Sequence, residues 1–313
     1  MQEHEKWHLP VMVNEVREYL ITDATKVIVD CTVGTGGHAE TLLKASPDDC
    51  ILIGIDLDGD ALAIASERLS HFGERVVLKQ MNFRDLKSGL PSSLHGKVDA
   101  LLIDCGISRL QIVTSERGFS FDTDAPLDMR FDASRGKTAA RVLDEIGFVE
   151  LRGLIVRFGE GARAGRIARA IIRMRDAGQL KTTGDLAGAI KSVVRNRAAK
   201  SLARVFLAVR SYLTGELESL AEALDVLPGL LSAGGRACVI SYHSLEDRIV
   251  KTSFKKYAGK CVCPPGRIVC DCGRAPLFKI LTPKPIPPTA GEIRSNSSAR
   301  SAKIRVVERC DNG

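Results

Sequence analysis

The sequence predicts an α/β fold, a parallel sheet into which an all-α domain is inserted, and three observations support this prediction. Strand-like apolar runs alternate with segments of helical spacing from residue 26 to residue 104, which is typical of a parallel sheet with right-handed crossovers. The alternation stops near residue 111, and helical segments follow one another to about residue 200. An apolar run at residues 236–241 returns to the strand pattern. We therefore expect a discontinuous sheet domain, residues 1–112 and 201–313, and a helical insertion at 113–200.

The first strand and the turn after it are the most informative stretch. A helix at residues 14–20 leads into the β-branched run 27–29, which ends at Asp30, and glycines at 34, 36 and 37 then let the backbone turn tightly. A helix at residues 38–43 would direct its free N–H groups at whatever occupies the turn. The next strand, 51–55, ends at Asp56, roughly 20 residues beyond the glycines, where a carboxylate can bind a ribose diol. The stretch predicts a nucleoside site.

The acidic residue that ends the first strand indicates which nucleoside the site takes. Residues 34–39 fit G-x-G-x-x-A, the dinucleotide fingerprint, although this short match alone is weak. The carboxylate of Asp30 would repel a pyrophosphate, whereas it would attract the sulfonium and α-amino groups of S-adenosylmethionine. We therefore favour S-adenosylmethionine over NAD or FAD. The alternative is that Asp30 only caps a turn.

The later strands bring further candidates to the same edge of the sheet, because ligands bind at the carboxyl ends of parallel strands. A strand at 76–81 precedes Phe83, whose ring can cover an adenine face or pack in the core. A strand at 98–103 leads to Asp104, and the strand at 236–241 leads to His243. Residues 202–227 should form one long helix. Residues 277–281 and 302–307 should form an antiparallel edge pair.

The insertion is basic. It opens with a polar loop, residues 117–130, that is too long for an ordinary connector. Helical stretches follow at 138–146, 149–158, 162–175 and 183–195. Their arginines recur near helical spacing and form a basic face, which is either a surface for nucleic acid or a solvated exterior. These arginines are Arg152, Arg157, Arg163, Arg166, Arg169, Arg173 and Arg175.

Composition is that of a soluble globular protein with room for one large domain or two ordinary ones. The chain has 313 residues, and its 45 Lys and Arg exceed its 38 Asp and Glu, which gives a net charge of +7 and suits a polyanionic partner. The N-terminal ten residues lack the apolar core of a secretory signal, and no apolar run approaches 18 residues. We expect a cytoplasmic protein with no membrane segment.

Four of the nine cysteines form the one cluster that suggests a metal. Cys261-x-Cys263 and Cys270-x-Cys272 would supply four thiolates, which satisfy tetrahedral Zn²⁺. The more familiar spacing is C-x₂-C, so a loop of free thiols is the alternative to a structural zinc. The remaining cysteines should be mostly reduced, and several lie in apolar strands.

Several long motifs in a fixed order resemble the bacterial small-subunit ribosomal RNA (cytosine-N4)-methyltransferase family. The resemblance spans nearly the whole chain. It implies a Rossmann-like class I methyltransferase sheet with a helical insertion, S-adenosylmethionine as cofactor, and a cytidine in the decoding centre of 16S RNA or of the assembling small subunit as substrate. The matching motifs are His8-x-Pro10-Val11-Met12, DCTVGTGGH at residues 30–38, RGFSF at 117–121, PLDMR at 126–130, HSLEDR at 243–248 and RSA at 300–302.

The resemblance also implies roles for individual residues. It places Gly36, Gly37 and His38 at the methionine end of the cofactor, and Gln111 with Asp104 near the methyl donor. It agrees with the roles that the strand ends suggest for Asp56 and Phe83. Three positions depart from the family pattern, namely Cys105, Arg109 and Leu207. The cofactor site is retained despite these changes, but the target base is less firmly indicated.

Methyl transfer to cytosine N4 needs a hydrogen-bond acceptor on the amine and close alignment with the donor methyl. Asp104 is the first candidate, as acceptor or as cofactor anchor, and His243 is the second. Glu246 and Asp247 are further alternatives, although this stretch could equally be a helix start capped by Ser244, with Asp247 three residues on. For substrate RNA we expect phosphate contacts from Arg248 and Arg300. On the loop into the insertion, Asp128 and Arg130 are placed to receive the base.

Two other classes of function remain open at this point. A NAD-linked oxidoreductase would share the glycine turn. A non-catalytic RNA-binding assembly factor would keep the fold and explain the changes at Cys105, Arg109 and Leu207. The sequence gives no oligomeric state.

Overall fold

The computed structural model describes residues 10–108, 110–111, 117–194, 198–260 and 275–311. The chain forms two compact units. The first comprises Met1–Gly106 and Leu217–Gly313, and the second comprises Ile107–Glu216. The second unit is wider than the insertion expected at 113–200.

The first unit is built on a seven-stranded sheet. Its strands are β1 (Val27–Asp30), β2 (Ile51–Asp56), β3 (Val76–Gln80), β4 (Val98–Asp104), β5 (Leu231–Ser241), β6 (Phe278–Ile280) and β7 (Lys303–Arg309). They lie in the order β3-β2-β1-β4-β5-β7-β6. The first five are parallel, and β7 pairs antiparallel with both β5 and β6. The predicted parallel sheet and its antiparallel edge pair are therefore confirmed.

Both faces of the sheet are buried at its central strands, as their apolar residues require, whereas the edge strand β3 is only partly buried. Alternate residues of a strand point to opposite faces, and β4 divides accordingly: Leu101 and Ile103 join one core cluster, Ala100 and Leu102 the other. Helices cover the two faces. In this unit they are α1 (Val13–Leu20), α2 (Gly37–Ala45), α3 (Gly59–Leu69), α4 (Leu86–Gly89), α10 (Glu216–Leu230, from Leu217 onward), α11 (Ser244–Tyr257) and α12 (Ala290–Ser295).

The second unit is helical and has its own core. Its helices are α5 (Ala139–Glu145), α6 (Phe148–Arg157), α7 (Ala164–Asp176), α8 (Thr183–Val193) and α9 (Ala198–Thr214). Apolar residues of α7 at Ile167 and Ile171 are spaced for one helix face and are fully buried. A capping box between Thr182 and Asp185 starts α8. None of the helices that the structure describes is long and apolar enough to cross a membrane.

The prediction of one long helix at residues 202–227 is wrong, because two helices cover this range. Gly215 has φ +64°, a left-handed conformation that ends α9, and α10 begins at the next residue. Leu202, Val205 and Phe206 of α9 pack in the helical core, so α9 belongs to the second unit. Their apolar periodicity continues across Gly215, which is why the sequence pattern alone did not mark the break.

Candidate functional site

A glycine turn separates β1 from α2. Gly34 and Gly36 have φ of +51° and +83°, which side chains with a Cβ rarely adopt. Gly36 N–H donates to Val33 O at 2.8 Å, and a Cβ on Gly36 would stand 3.3 Å from the Leu69 side chain. The turn therefore requires glycine both for its conformation and for close packing on α3.

Three carboxylates stand at the ends of neighbouring strands. Asp30 ends β1, Asp56 ends β2 and Asp104 ends β4, and the sheet order puts β1 between the other two. Carboxyl ends of parallel strands share one edge, so the three acids lie together beside the glycine turn, as predicted. This edge is the candidate site.

Asp30 is fully buried. Its Oδ1 accepts a hydrogen bond from Thr32 N–H at 3.1 Å, and within the described residues its Oδ2 has no hydrogen-bond partner. Burial raises the pKa of Asp30 to about 7, against the lowering effects of His38 and of the Thr32 N–H. A buried carboxylate with one oxygen unsatisfied favours an added positive charge.

The carboxylate of Asp56 accepts a hydrogen bond from the glycine turn. Its Oδ2 accepts from Gly34 N–H at 2.8 Å and its Oδ1 from Asp58 N–H at 2.9 Å. Burial raises the pKa of Asp56 to about 6. Each oxygen retains a lone pair, so the carboxylate can still accept hydrogen bonds from a diol.

Asp104 is held on three sides. Its Oδ1 accepts from the Tyr242 hydroxyl at 2.8 Å, its Oδ2 lies 3.5 Å from His38 Nε2, and its N–H donates to Thr32 Oγ1 at 2.7 Å. The sequence interpretation missed Thr32 and Tyr242. Tyr242 could have been found, because it directly follows β5 and so stands at the same edge as Asp104.

Four buried polar atoms at this edge have no hydrogen-bond partner among the described residues: Asp30 Oδ2, Thr35 Oγ1 and both ring nitrogens of His38. Buried polar groups are nearly always satisfied in folded proteins, so a cluster of exceptions indicates a ligand. The three acids favour a cation, and the unpaired hydroxyl and imidazole add hydrogen-bonding groups. These residues fit an S-adenosylmethionine molecule better than a dinucleotide, whose pyrophosphate they would repel.

The start of α11 differs from the expected cap. His243, not Ser244, is the N-cap: its Nδ1 accepts from Leu245 N–H at 3.2 Å, and Glu246 Oε2 accepts from His243 N–H at 3.2 Å. The backbone of His243 is extended, as is usual for an N-cap, and its ring nitrogen accepts the hydrogen bond that a hydroxyl usually accepts. The sequence interpretation considered Ser244 as the cap and therefore missed His243. His243 Nε2 lies 3.0 Å from Glu246 Oε1.

The two acids of this helix start are engaged in the fold. Glu246 is buried and also accepts from Tyr242 N–H at 2.7 Å. Asp247 accepts two hydrogen bonds from Arg305 of β7, at 2.7 and 3.2 Å. Both acids are therefore occupied by the fold, and the contacts with Leu245 and Glu246 engage the ring of His243 as well.

The remaining predicted residues of the first unit lie where expected along the chain. Phe83 begins a short 3₁₀ turn after β3 and is partly buried against the sheet core. Arg248 and Arg300 are exposed, and within the described residues neither makes an ion pair. Both are thus open to an anionic partner.

Asp128, Arg130 and Gln111 belong to the second unit. Arg130 holds Asp128 through Nε at 2.8 Å and through a second nitrogen at 2.7 Å. Burial alone would raise the pKa of Asp128, but the hydrogen bonds from Arg130 outweigh burial and lower this pKa below its ordinary value. Gln111 is buried, and its Oε1 accepts from Ser108 N–H at 3.0 Å. The predicted base-receiving pair is therefore already an ion pair.

The loop around this pair depends on one glycine. Gly118 has φ +69°, and a Cβ there would stand 2.3 Å from Pro126 O. We expect Gly118→Ala to lower the free energy of unfolding by about 3 kcal/mol, because backbone must move as well as adopt a strained φ. Gly136→Ala is the matched control: its φ is +79°, but the added Cβ meets nothing within 4 Å, so the loss should be about 1 kcal/mol. Denaturant unfolding measures both, and equal losses would contradict the steric explanation.

The proposed zinc ligands Cys261, Cys263, Cys270 and Cys272 lie outside the described residues. Within the described ranges, no group of three or more His, Cys, Asp or Glu side chains is arranged to hold a metal. The zinc site stays a prediction from the sequence.

Comparison with known proteins gives matches over nearly the full chain. The family model described as the MraW methylase family matches residues 5–310. A relative from Geotalea uraniireducens (strain Rf4), named ribosomal RNA small subunit methyltransferase H, is 43% identical over 306 residues, which cover 96% of this chain and 98% of the relative. Relatives of the same name from Syntrophotalea carbinolica and Symbiobacterium thermophilum are 44% and 40% identical, over 306 and 310 residues. The match to the Syntrophotalea carbinolica relative covers 96% of this chain and 98% of that relative. The match to the Symbiobacterium thermophilum relative covers 98% of this chain and 98% of that relative.

Proposed function

The chain belongs to the MraW methylase family, and from that premise we propose that it transfers a methyl group from S-adenosylmethionine to the N4 amine of a cytidine in the decoding centre of small-subunit ribosomal RNA. The observation that carries the proposal is the row of Asp30, Asp56 and Asp104 at one sheet edge, beside the glycine turn. Membership of a methylase family sets aside the NAD-linked oxidoreductase.

In this proposal, residues of the turn and of the strand ends bind different parts of the cofactor. Asp30 attracts the positive end of S-adenosylmethionine, and Gly36, Gly37 and His38 approach its methionine part. Asp56 accepts hydrogen bonds from the ribose, and Phe83 covers the adenine. Gln111 belongs to the same proposal on the strength of the family resemblance. Among the described residues, Asp30 Oδ2 and both ring nitrogens of His38 have no hydrogen-bond partner, which supports this assignment.

The amine of cytosine is a poor nucleophile because its lone pair is delocalised into the ring. S-adenosylmethionine, when bound, supplies an electrophilic methyl group. Asp104 would accept a hydrogen bond from the amine and orient its nitrogen toward the methyl group that the bound cofactor supplies. The hydroxyl of Tyr242 donates to the Asp104 carboxylate at 2.8 Å and fixes its orientation, which keeps the alignment. His243 is the second candidate to take the released proton.

The target base must be unpaired or turned out of its stack before it can reach such a site. We assign RNA recognition to the helical unit, with Asp128 and Arg130 on its loop, and phosphate contacts to Arg248 and Arg300. Arg248 and Arg300 are exposed and make no ion pair with any residue that the structure describes, which supports the phosphate role.

Arg248→Ala should weaken binding to small-subunit RNA and reduce the slope of log affinity against log salt by about 1, because one phosphate contact is lost. Arg17→Ala is the control, because Arg17 is also an exposed arginine on a helix but lies on α1, which comes before the first strand and is not part of the proposed RNA site. Filter binding at several salt concentrations measures the slope. An unchanged slope for Arg248→Ala would make Arg248 structural.

The experiment that tests the function is direct. The protein is incubated with labelled S-adenosylmethionine and immature small subunits, and the RNA is digested to nucleosides for mass spectrometry. We expect one labelled N4-methylated cytidine. RNA that is bound but carries no label would favour the non-catalytic assembly factor.

A further inference from the structure

Helix α7 carries three exposed arginines, of which Arg169 also lies over the ring of Phe148, 5.5 Å from its centroid. Arg166, Arg169 and Arg173 are exposed, at spacings of three and four residues that place them on one face. Within the described part of the chain, none of the three makes an ion pair. Like charges at these spacings repel, so this arginine stripe weakens the helix. A stripe that costs stability indicates an anionic partner.

Arg175 of the same helix shows what a structural arginine does. It donates to Ile146 O at 2.9 Å and to Leu143 O at 3.4 Å, and it pairs with Asp176 at 2.9 Å. The basic face expected from the sequence therefore contains two classes of arginine. Arg175 joins α7 to the end of α5, whereas the arginine stripe faces solvent.

A cavity of about 250 Å³ adjoins the stripe at Arg173, between α7 and α8. It is lined by small and apolar residues together with one guanidinium, one amide and one hydroxyl. The lining residues are Ala170, Arg173, Met174, Gln179, Ala189 and Ser192, with Gly188. Ser192 Oγ already donates to Ala189 O at 2.7 Å, so its oxygen can accept from a ligand. The cavity exceeds the volume of one nucleobase and offers it both apolar and polar contacts.

We propose that the arginine stripe and this cavity bind an unpaired RNA segment, with phosphates on Arg166, Arg169 and Arg173 and one unstacked base in the cavity. The proposal rests on the RNA-directed function and names the surface that serves it. Proteins that hold single-stranded RNA combine a cationic track with a stacking surface, and a guanidinium plane such as that of Arg173 can provide the stacking. The basic track and the adjoining cavity reproduce that combination within one helical unit.

The first test removes the charges. The variant with Arg166, Arg169 and Arg173 all changed to Gln should bind a fluorescent unpaired oligonucleotide of decoding-centre sequence at least tenfold more weakly, and its log–log salt slope should be shallower by about 2. The matched control changes Arg17, Lys97 and Lys284 to Gln, three exposed cations of the other unit. It should bind nearly as the unaltered protein does. Equal losses in the two variants would mean that net charge alone matters, and would overturn the assignment.

The second test fills the cavity. A Cβ on Gly188 meets nothing within 4 Å, and leucine is a better helix former than glycine, so Gly188→Leu should keep the fold. We expect roughly tenfold weaker oligonucleotide binding, from loss of one base contact, with the salt slope unchanged. Gly153→Leu is the control, because Gly153 lies on α6 with equally open space and outside the cavity. Normal binding by Gly188→Leu would remove the cavity from the proposal.

These measurements separate this inference from the proposed function. Suppose that the unaltered protein methylates cytidine in small subunits while the triple arginine variant of α7 and the Gly188→Leu variant of α8 bind RNA normally. The proposed RNA-binding surface is then wrong, and the proposed function stands. If the unaltered protein binds the oligonucleotide through this surface but methylates nothing, the surface stands and the function fails.

Discussion

Replacing Asp104 by Ala should abolish methyl transfer to small-subunit RNA, a loss of about 10²-fold or more in rate. The reason is positional. Asp104 ends β4, its backbone N–H donates to Thr32 Oγ1, and its carboxylate accepts from the Tyr242 hydroxyl and lies 3.5 Å from His38 Nε2. The measurement is transfer of label from S-adenosylmethionine at saturating RNA. Full activity in the variant would discard Asp104 as acceptor and as anchor.

Two further variants show which property of Asp104 matters. Asp104→Asn keeps the shape but removes the charge, and it should be nearly as inactive as the alanine variant. Asp99→Ala is the control on the same strand: Asp99 accepts from Lys26 N–H and Val27 N–H at 2.9 and 3.0 Å, far along β4 from Asp104. It should unfold more easily yet retain transfer by the folded fraction.

The affinity for S-adenosylmethionine should rise about 30-fold between pH 5.5 and pH 8.5, because the donor binds the ionised form of Asp30. Burial raises the pKa of Asp30 to about 7, so the carboxyl is mostly protonated at the lower pH and anionic at the higher. Below about pH 7, each unit of acidification lowers affinity by up to tenfold. Calorimetric titration across this range measures the change.

Asp30→Asn should bind weakly at every pH and lose this dependence. Asp128→Asn is the control, since Asp128 lies in the other unit with a pKa already lowered by Arg130. It should keep the full dependence. A steep rise in affinity that persists in Asp30→Asn would assign the titration to another group.

The same pKa predicts how stability depends on pH without added donor. The unfolded chain releases the Asp30 proton near the ordinary value of 3.8, whereas the folded chain retains it to about 7. The folded state therefore binds more protons in that window, and the free energy of unfolding falls as the pH rises from about 4 to about 7. Asp56, raised to about 6, acts in the same direction.

The sheet was predictable because its features are local. Each strand is a short apolar run, each polar residue of the site directly follows one, and parallel topology brings those ends together. Asp30, Asp56 and Asp104 were all identified in this way. The break at Gly215 was not, since the apolar period continues through it and a single glycine does not always end a helix.

Contacts between distant residues were beyond the sequence pattern. The spacing of Asp247 and Arg305 does not indicate that these side chains meet, and the strand ends place Tyr242 and Asp104 at one edge without showing that they form a hydrogen bond. The cap at His243 was missed because the imidazole acts there as a hydrogen-bond acceptor. Likewise, the arginines of α7 look alike in sequence, and only their contacts separate Arg175 from the exposed stripe.

The central claim is that the row of carboxylates holds a positively charged sulfur compound. Calorimetric titration with S-adenosylmethionine and, separately, with NAD at pH 8 tests it most directly. We expect one binding site and clear heat for S-adenosylmethionine, and no heat for NAD. A clear signal with NAD and none with S-adenosylmethionine would contradict the claim.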